Sequence, residues 1–166
     1  MSIRTIITEG DELLAKKCRP VEKFDQRLWT LLDDLYETLV DADGVGIAAP
    51  QIGIIRRVCI VDLGDETGKI EMVNPEIIEQ KGEQNLQEGC LSCPNQWGVT
   101  SRPAWIKVRA QDRNGEFFEF EATELLAVAC CHEIDHLDGI LFMEHVIGEI
   151  SKEVMDEKEI KQQLEK

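Results

Sequence analysis

Three residues within one short stretch of the sequence, His132, Glu133 and His136, have the types and the spacing that metal chemistry needs. Residues four apart project from the same face of an α-helix, so both imidazoles can reach one metal ion. Glu133 would then lie beside the open position of the metal, where water binds. The alternative is an ordinary histidine pair in a core helix. The preceding run 125–130 is almost wholly apolar, and a metal would offset the cost of burying polar side chains beside it.

A catalytic metal needs a third protein ligand, and the sequence contains three kinds of candidate. A third histidine in the pattern HExxHxxGxxH is excluded because the required position is Phe142. A glutamate further downstream, Glu153 or Glu157, belongs to a charged terminal segment that we expect to be exposed. The third kind of candidate is a cysteine, and Cys90 and Cys93 form a C-x-x-C pair upstream of the histidines.

The cysteine pair allows either a closed or an open metal site. Two cysteines and two histidines could form a closed structural zinc site, but Glu133 would then have no role. In a strand, Cys90 and Cys93 would point to opposite faces, and no glycine follows Cys93 to make the tight turn of a zinc knuckle. We therefore predict an open site in which Cys90 joins His132 and His136. The other nearby cysteines are interpreted as core or near-site thiols: Cys93, Cys130 and Cys131.

The composition indicates a folded protein and argues against several classes of partner. At 166 residues the chain is long enough to bury a core, so we expect residues 1–166 to form a single catalytic domain. Its formal net charge of -15 argues against nucleic acid and anionic lipid as direct partners. No apolar run is long enough for a membrane span and no signal-peptide pattern opens the sequence, so we expect a cytoplasmic protein.

The hydrophobic spacing predicts an α+β fold in which strands precede a buried helix. We expect an amphipathic helix at 25–42, the histidine-bearing helix after Thr123, and a solvated helix of mixed charge at 151–166. Strands are expected at the following ranges: 57–62, 70–73, 76–80, 84–92, 105–109 and 116–121.

The segment 44–53 is dense in small residues, which permit close approach of the backbone to another group. It is not a phosphate loop, because the lysine and the serine or threonine of that motif are missing. One interpretation is a tight, buried turn between a helix and the sheet. The other is a backbone wall for a ligand, with the Gln51 amide directed at it.

Three motifs together give the sequence a resemblance to one enzyme family. They are GVGIAAPQ at 44–51, EGCLS at 88–92 and HEIDH at 132–136. In this order they match the patterns GxGxAAxQ, EGCxS and HExDH of the peptide deformylases, which remove the formyl group from the N-terminal formyl-methionine of new bacterial polypeptides. The resemblance covers all but the C-terminal segment. It implies strands wrapped about a central helix that carries the third motif, in agreement with the α+β prediction.

The resemblance implies a role for each matching residue. The metal ligands would be Cys90, His132 and His136. Glu133 would transfer the proton, while the Gln51 side chain and the Leu91 backbone N–H would stabilise charge on the formyl oxygen. The peptide would align as an added strand against Gly46 and its neighbours. Candidates for the apolar pocket around the methionine side chain are Val45, Leu86, Leu126 and Ala129.

The resemblance also implies a cofactor and partners. One divalent metal ion is expected, ferrous iron in the cell, and zinc, nickel or cobalt can replace it because a thiolate and two imidazoles suit all four. The expected partners are N-formylmethionyl nascent peptides, with transient ribosome contact. Some family members are thought to dock on the ribosome through a basic C-terminal helix, and the mixed charge of 151–166 predicts weak docking by that element.

Further expectations concern the surroundings of the motifs. We predict that Glu88 pairs with Arg102 and that Asp135 supports the site or the structure rather than binding metal. Three alternatives to the leading interpretation stay open: a zinc peptidase that cuts internal bonds, a structural zinc module with four ligands, and a divergent relative with an altered substrate.

Overall fold

Two antiparallel sheets and three α-helices form the fold, and the computed structural model describes residues 2–165. The helices are α1 (Gln26–Asp41), α2 (Glu124–His136) and α3 (Glu157–Leu164). The strands are β1 (Gly46–Ala48), β2 (Val58–Asp62), β3 (Lys69–Lys81), β4 (Gln84–Cys90), β5 (Cys93–Arg102), β6 (Trp105–Gln111), β7 (Phe117–Thr123) and β8 (Val146–Ser151). The predicted α+β class is confirmed. None of the helices in the described chain has the length and apolar character that a membrane crossing requires.

Helix α1 forms where the apolar spacing predicts it. The Asp25 side chain accepts a hydrogen bond from the Leu28 backbone N–H and so caps the helix. One face of the helix is lined by buried leucines: Leu28, Leu31, Leu32, Leu35 and Leu39. These side chains pack with Val58 and Ile60 of β2. Burial of this stripe fixes α1 on one face of the larger sheet.

The five-stranded sheet has the order β1-β2-β3-β6-β7, and every neighbouring pair is antiparallel. Strand β2 is buried on both faces. Val58 and Ile60 face α1, whereas Cys59 and Val61 belong to the core cluster around α2. A sheet covered by a helix on each face explains why the sequence of β2 is apolar without alternation.

Strand β3 is continuous where the sequence predicts two strands. The expected break at Asn74-Pro75 is a bulge, after which pairing with β6 resumes at Glu76. Asn74 has a φ of 50°, and its side chain accepts a hydrogen bond from the Val21 N–H at 2.8 Å and donates one to the Val21 carbonyl at 2.9 Å. The bulge absorbs the backbone change that proline imposes, so the strand does not end there.

The chain reverses at Leu91 and Ser92, so the predicted strand 84–92 is wrong at its end. A tight turn joins β4 to β5, and Pro94 lies inside β5. The turn places Cys93 directly across from Cys90 in the register of the two strands. The expectation that these cysteines point to opposite faces of one strand is therefore wrong, because they belong to two paired strands.

The three-stranded sheet has the order β4-β5-β8. The helix predicted at 151–166 starts later than expected, because Ser151 still pairs with β5. Helix α3 begins only after Asp156, whose side chain accepts a hydrogen bond from the Glu159 backbone N–H. Lys166, the last residue of the predicted helix, lies outside the described residues.

Strands β6 and β7 form the hairpin that Asn114-Gly115 predicts, in uninterrupted register along their length. The hairpin leads directly into α2, with Thr123 at the N-cap position, although its side chain makes no capping hydrogen bond. Helix α2 contacts strands of both sheets. The hairpin therefore delivers the histidine-bearing helix into the space between the sheets.

Gly139 makes the turn that follows α2 and has a φ of 75°. A Cβ at this position would overlap the backbone carbonyl of Ala15. Backbone conformation and close approach therefore require glycine here, independently of any longer metal-binding pattern.

We expect Gly139→Ala to lower the free energy of unfolding by about 3 kcal/mol, because left-handed strain adds to a clash with backbone. Gly64→Ala is the matched control, since Gly64 has a φ of 77° but open space where the Cβ would lie. Strain alone should cost the control about 1 kcal/mol. Urea unfolding measures both values, and equal losses would contradict a tight contact with Ala15.

Candidate metal centre

Helix α2 carries three polar side chains into the protein interior. His132, Glu133 and His136 have exposed fractions of 7%, 4% and 0%. The residues before them on the helix are mostly buried and apolar, which is the pattern of a helix covered on nearly every side. Such burial is costly for ionisable groups, so each of the three needs a compensating partner.

The structure brings the three predicted ligands together. One ligand atom each from Cys90, His132 and His136 lies within 4.8 Å of the other two. The Cys90 Sγ is 3.3 Å from His136 Nε2. Cys93 is not part of this group, and the downstream candidates Glu153 and Glu157 are exposed on the surface.

The donor set and its surroundings fit a divalent metal ion with one open position. A thiolate and two imidazoles are the ligands of tetrahedral zinc and related ions, and three protein ligands leave the fourth position free. The Oε1 atom of Glu133 is buried and has no hydrogen-bond partner among the described residues. The neighbouring Cys93 thiol and burial raise the pKa of the Cys90 thiol. A bound metal cation would favour the thiolate form of Cys90.

A chain of buried charges orients the first histidine. His132 Nδ1 lies 2.8 Å from Glu88 Oε1, which leaves Nε2 facing the other ligands. Arg102 donates two hydrogen bonds to Glu88, at 2.8 and 3.0 Å, and one to Asp135 at 2.6 Å. The predicted Glu88–Arg102 pair is thus confirmed. Burial acts to raise the pKa of Glu88, but the hydrogen bonds from His132 and Arg102 and the guanidinium charge lower it to about 2.

Glu133 lies against the backbone of β1. A Cβ on Gly46 would come within 2.5 Å of Glu133 Oε2, so only glycine allows the carboxylate its position. Burial raises the pKa of Glu133 to about 7. A carboxyl group with this proton affinity can both accept and return a proton near neutral pH.

Gln51 is fixed beside the cysteine by three contacts. Its Oε1 accepts a hydrogen bond from the Ala48 backbone N–H at 2.9 Å, and its Nε2 donates to Ser92 Oγ at 3.1 Å. The same Nε2 lies 3.7 Å from the Cys90 sulfur. The segment 44–53 is therefore both a buried connection and a wall of the site: β1 is followed by a 3₁₀ helix that holds the amide in place.

The N-terminal segment ties the two halves of the site together. The Ile7 backbone N–H donates to the Gln51 carbonyl at 2.8 Å, and the Glu9 N–H donates to the Ser92 carbonyl, also at 2.8 Å. An extended stretch of chain thus joins the 3₁₀ helix to the turn between β4 and β5.

A cavity of about 430 Å³ opens onto this centre. Its lining includes these predicted site residues: Val45, Gly46, Gln51, Cys90, Leu91, Ala129, His132 and Glu133. Trp97, Leu125 and Val128 also line it, and the sequence analysis did not identify them. The ring of Trp97 covers Gly89 so closely that a Cβ there would overlap it.

Two predicted pocket residues lie elsewhere. Leu126 packs against the core cluster between α2 and the larger sheet, and Leu86 is not among the residues that line the cavity. The helical face toward the cavity carries positions 125, 128, 129 and 132, spaced three and four apart. Leu126 is one residue further round the helix, so its side chain is directed into the core. That spacing, counted back from His132, is a signal in the sequence that identifies Leu125 and Val128.

This candidate centre combines one cysteine, two histidines and a carboxylate with an unpartnered oxygen. Such a combination is typical of metal-dependent hydrolases. The comparison with protein families narrows this class. The polypeptide deformylase model matches residues 3–152, and the chain belongs to this family. Members are hydrolases that remove the N-formyl group from nascent polypeptides, and metal dependence is a general property of the family.

Individual relatives support the assignment across nearly the whole chain. The peptide deformylase of Caldicellulosiruptor bescii is 52% identical over 158 residues, which are 95% of this chain and 94% of the relative. That of Alkaliphilus metalliredigens is 54% identical over 149 residues, covering 90% of this chain and all of the relative. A crystal structure of a peptide deformylase from Legionella pneumophila superposes with a TM-score of 0.83 at 40% identity, covering 99% of this chain and 92% of that one.

Removing the buried guanidinium tests the charge chain behind His132. Arg102→Ala should lower the free energy of unfolding by about 4 kcal/mol, because it leaves the Glu88 carboxylate buried without its cation. Lys107→Ala is the control, since its pair with Glu119 is exposed and should contribute less than about 1 kcal/mol. Denaturant unfolding measures both variants. A cost for Arg102→Ala as small as that of the control would contradict the role of the pair.

Proposed function

We propose that Cys90, His132 and His136 hold the metal with which this chain removes the formyl group from formyl-methionyl peptides, and that Glu133 is the general base. The observation that carries this proposal is the grouping of three ligand atoms within 4.8 Å of one another beside a partly apolar cavity, whose lining also includes Glu133 with its buried, unpartnered oxygen. A divalent ion in this position supplies Lewis acidity to water and to the formyl oxygen.

Glu133 transfers the proton in this mechanism. Its carboxylate takes the proton from the water that attacks the formyl carbon, and later passes it to the departing peptide nitrogen. The raised pKa of Glu133, about 7 because of burial, matches a group that must do both near neutral pH. The products are formate and a peptide with a free amino terminus.

Gln51 and Leu91 stabilise the negative charge that develops on the formyl oxygen. The Gln51 amide is held by Ala48 and Ser92 before any substrate arrives, so its N–H group needs no reorganisation. Leu91 follows Cys90 at the turn between β4 and β5 and lines the cavity, which supports this role for its backbone N–H.

The peptide binds as an extra strand between the two sheets. Strand β1 is at one edge of the five-stranded sheet and β4 is at one edge of the three-stranded sheet. Both edges line the cavity, through Gly46 and its neighbours on one side and through Gln87 and Gly89 on the other. Edge strands offer free N–H and carbonyl groups, so an extended peptide can pair with them.

The methionine side chain enters the apolar part of the cavity. Val45 and Leu125 are large apolar side chains with exposed fractions of 45% and 46%, and Val128 and Ala129 lie between them and the metal ligands on α2. Covering Val45 and Leu125 with substrate removes apolar surface from water and so favours an apolar side chain, such as that of methionine, at this position.

We infer ferrous iron as the metal in the cell, as the resemblance to the family implies. Zinc, nickel or cobalt can replace it, because the three ligands suit all of these ions. The substrates are N-formylmethionyl nascent peptides, which places the enzyme in the cytoplasm. Any contact with the ribosome is transient, and docking through α3 is weak, because acidic and basic residues balance there. These residues are Glu157, Lys158, Glu159 and Lys161.

Glu133→Gln should lower the rate of formate release from formyl-Met-Ala-Ser by about 10³-fold while metal content is unchanged, because the amide cannot accept a proton. Glu144→Gln is the control, a substitution at an exposed residue outside the cavity lining. Activity of Glu133→Gln near that of the control would remove Glu133 as the base. Cleavage of the unformylated peptide by the wild type would instead indicate a peptidase.

Cys90→Ser should reduce zinc bound per chain after gel filtration, whereas Cys93→Ser should not, because Cys93 lies outside the group of ligand atoms. Metal analysis of both variants beside the wild type gives the comparison. Equal losses in both would support a closed site with four ligands and would contradict the open site.

A further inference from the structure

A second thiol lies beside the proposed metal-binding cysteine without belonging to the ligand group. Cys90 and Cys93 are register partners across the tight turn between β4 and β5. Partners in an antiparallel pair have Cα atoms roughly 4.5–5.5 Å apart. This spacing falls within the range of about 4.4–6.8 Å that disulfides span. A disulfide between them would therefore need little movement of the backbone.

The two thiols differ in their exposure to solvent. In cysteine pairs that react with oxidants, the more accessible thiol is oxidised first and the second thiol then forms the disulfide with it. Both cysteines line the cavity, but Cys90 is half-buried there, where a small oxidant can reach it, whereas the exposed fraction of Cys93 is 1%. The other cysteines, Cys18, Cys59, Cys130 and Cys131, are buried in the core and do not line the cavity. Peroxide entering the cavity would thus meet Cys90 first, with Cys93 as its nearest thiol neighbour.

We propose that Cys90 and Cys93 form a reversible oxidation site whose co-reactant is hydrogen peroxide. The Cys90 sulfur attacks one peroxide oxygen, an S–O bond forms, the O–O bond breaks, and the leaving hydroxide takes up a proton to become water. The Cys93 sulfur then attacks the Cys90 sulfur, the S–S bond forms, and the S–O bond breaks to release a second water. The two thiols lose two electrons, which the peroxide gains.

The disulfide has two consequences for the site. It removes the thiolate from the metal, so the metal is held by His132 and His136 alone and should dissociate. It also prevents further oxidation of Cys90 to the sulfinic and sulfonic acids, which thiols do not reverse. The loss of metal rests on the proposed role of Cys90 as a ligand, whereas formation of the disulfide does not.

Mild oxidation of the zinc-loaded protein tests this inference. The protein is treated with a few equivalents of hydrogen peroxide, and three quantities are followed: intact mass, thiols under denaturing conditions, and zinc captured by a chromogenic chelator. The wild type should lose the mass of two hydrogen atoms and two of its six thiols, release zinc, and regain both thiols on reduction with a phosphine. Peptide mapping should locate the bond between Cys90 and Cys93.

The variant Cys93→Ser should behave differently at Cys90. Without the resolving thiol, Cys90 should gain two or three oxygen atoms, and reduction should not restore it. Cys59→Ala, which removes a core thiol instead, should respond like the wild type.

Absence of the Cys90–Cys93 bond in the oxidised wild type, or full recovery of Cys93→Ser on reduction, would overturn the oxidation site. Formation of the bond without zinc release would support the oxidation site and count against Cys90 as a metal ligand. The two proposals can therefore fail separately.

Discussion

The structure depends on one buried carboxylate, Glu88, which is shared between a guanidinium and an imidazole. Helix α2 places ionisable side chains in the interior, where water does not stabilise their charge. Among the described residues, Arg102 is the only buried arginine or lysine, and it pairs with Glu88. Its hydrogen bonds keep Glu88 ionised, and Glu88 in turn holds His132 in one orientation. The Arg102 guanidinium thus acts on the candidate metal site through Glu88 and His132. Without it, the histidine helix would be difficult to bury.

The edge strands of the two sheets, β1 and β4, both line the cavity. Exposed strand edges promote aggregation unless they are covered, and here β1 and β4 present their edges to a shared cavity. Helix α2 contacts both of these edge strands. The same helix carries His132 and His136, two of the three proposed metal ligands, so one element contacts both strand edges and bears part of the candidate metal site.

The sequence predicts the parts of the fold that depend on local pattern. The spacing of leucines identifies α1, Asn114-Gly115 identifies the β6–β7 hairpin, and the spacing of two histidines identifies the side of α2 that bears the ligands. The structure brings Cys90 together with the two histidines as predicted, although the expectation that Cys90 and Cys93 share one strand is wrong. The fold class follows from these elements together.

The remaining features depend on tertiary contacts that no local pattern reveals. The turn at Leu91 and Ser92 lacks the glycine or asparagine that marks most tight hairpins, so the pairing of Cys90 with Cys93 was not visible. Trp97 reaches the cavity only because the register of a bulged hairpin sets it against Gly89. Which residues of α2 line the cavity depends on how the helix is rotated about its axis against the sheet. Neighbouring residues point in different directions, so Leu125 faces the cavity whereas Leu126, which the sequence analysis chose, packs against the core.

The hydrogen bonds of Ile7 and Glu9 have a consequence for the order in which the site is assembled. These residues leave the ribosome before either of their partners exists, since Gln51 and Ser92 are made much later. Ile7 and Glu9 therefore cannot make these two hydrogen bonds until the segment 44–53 and the turn between β4 and β5 have been synthesised. Both hydrogen bonds can be present together only when Gln51 and Ser92 lie side by side, so the N-terminal segment ties together two parts of the site that are far apart in the sequence. Loss of the N-terminal segment would remove this backbone tie between the 3₁₀ helix and the turn, although the Gln51 amide would keep its own contacts with Ala48 and Ser92.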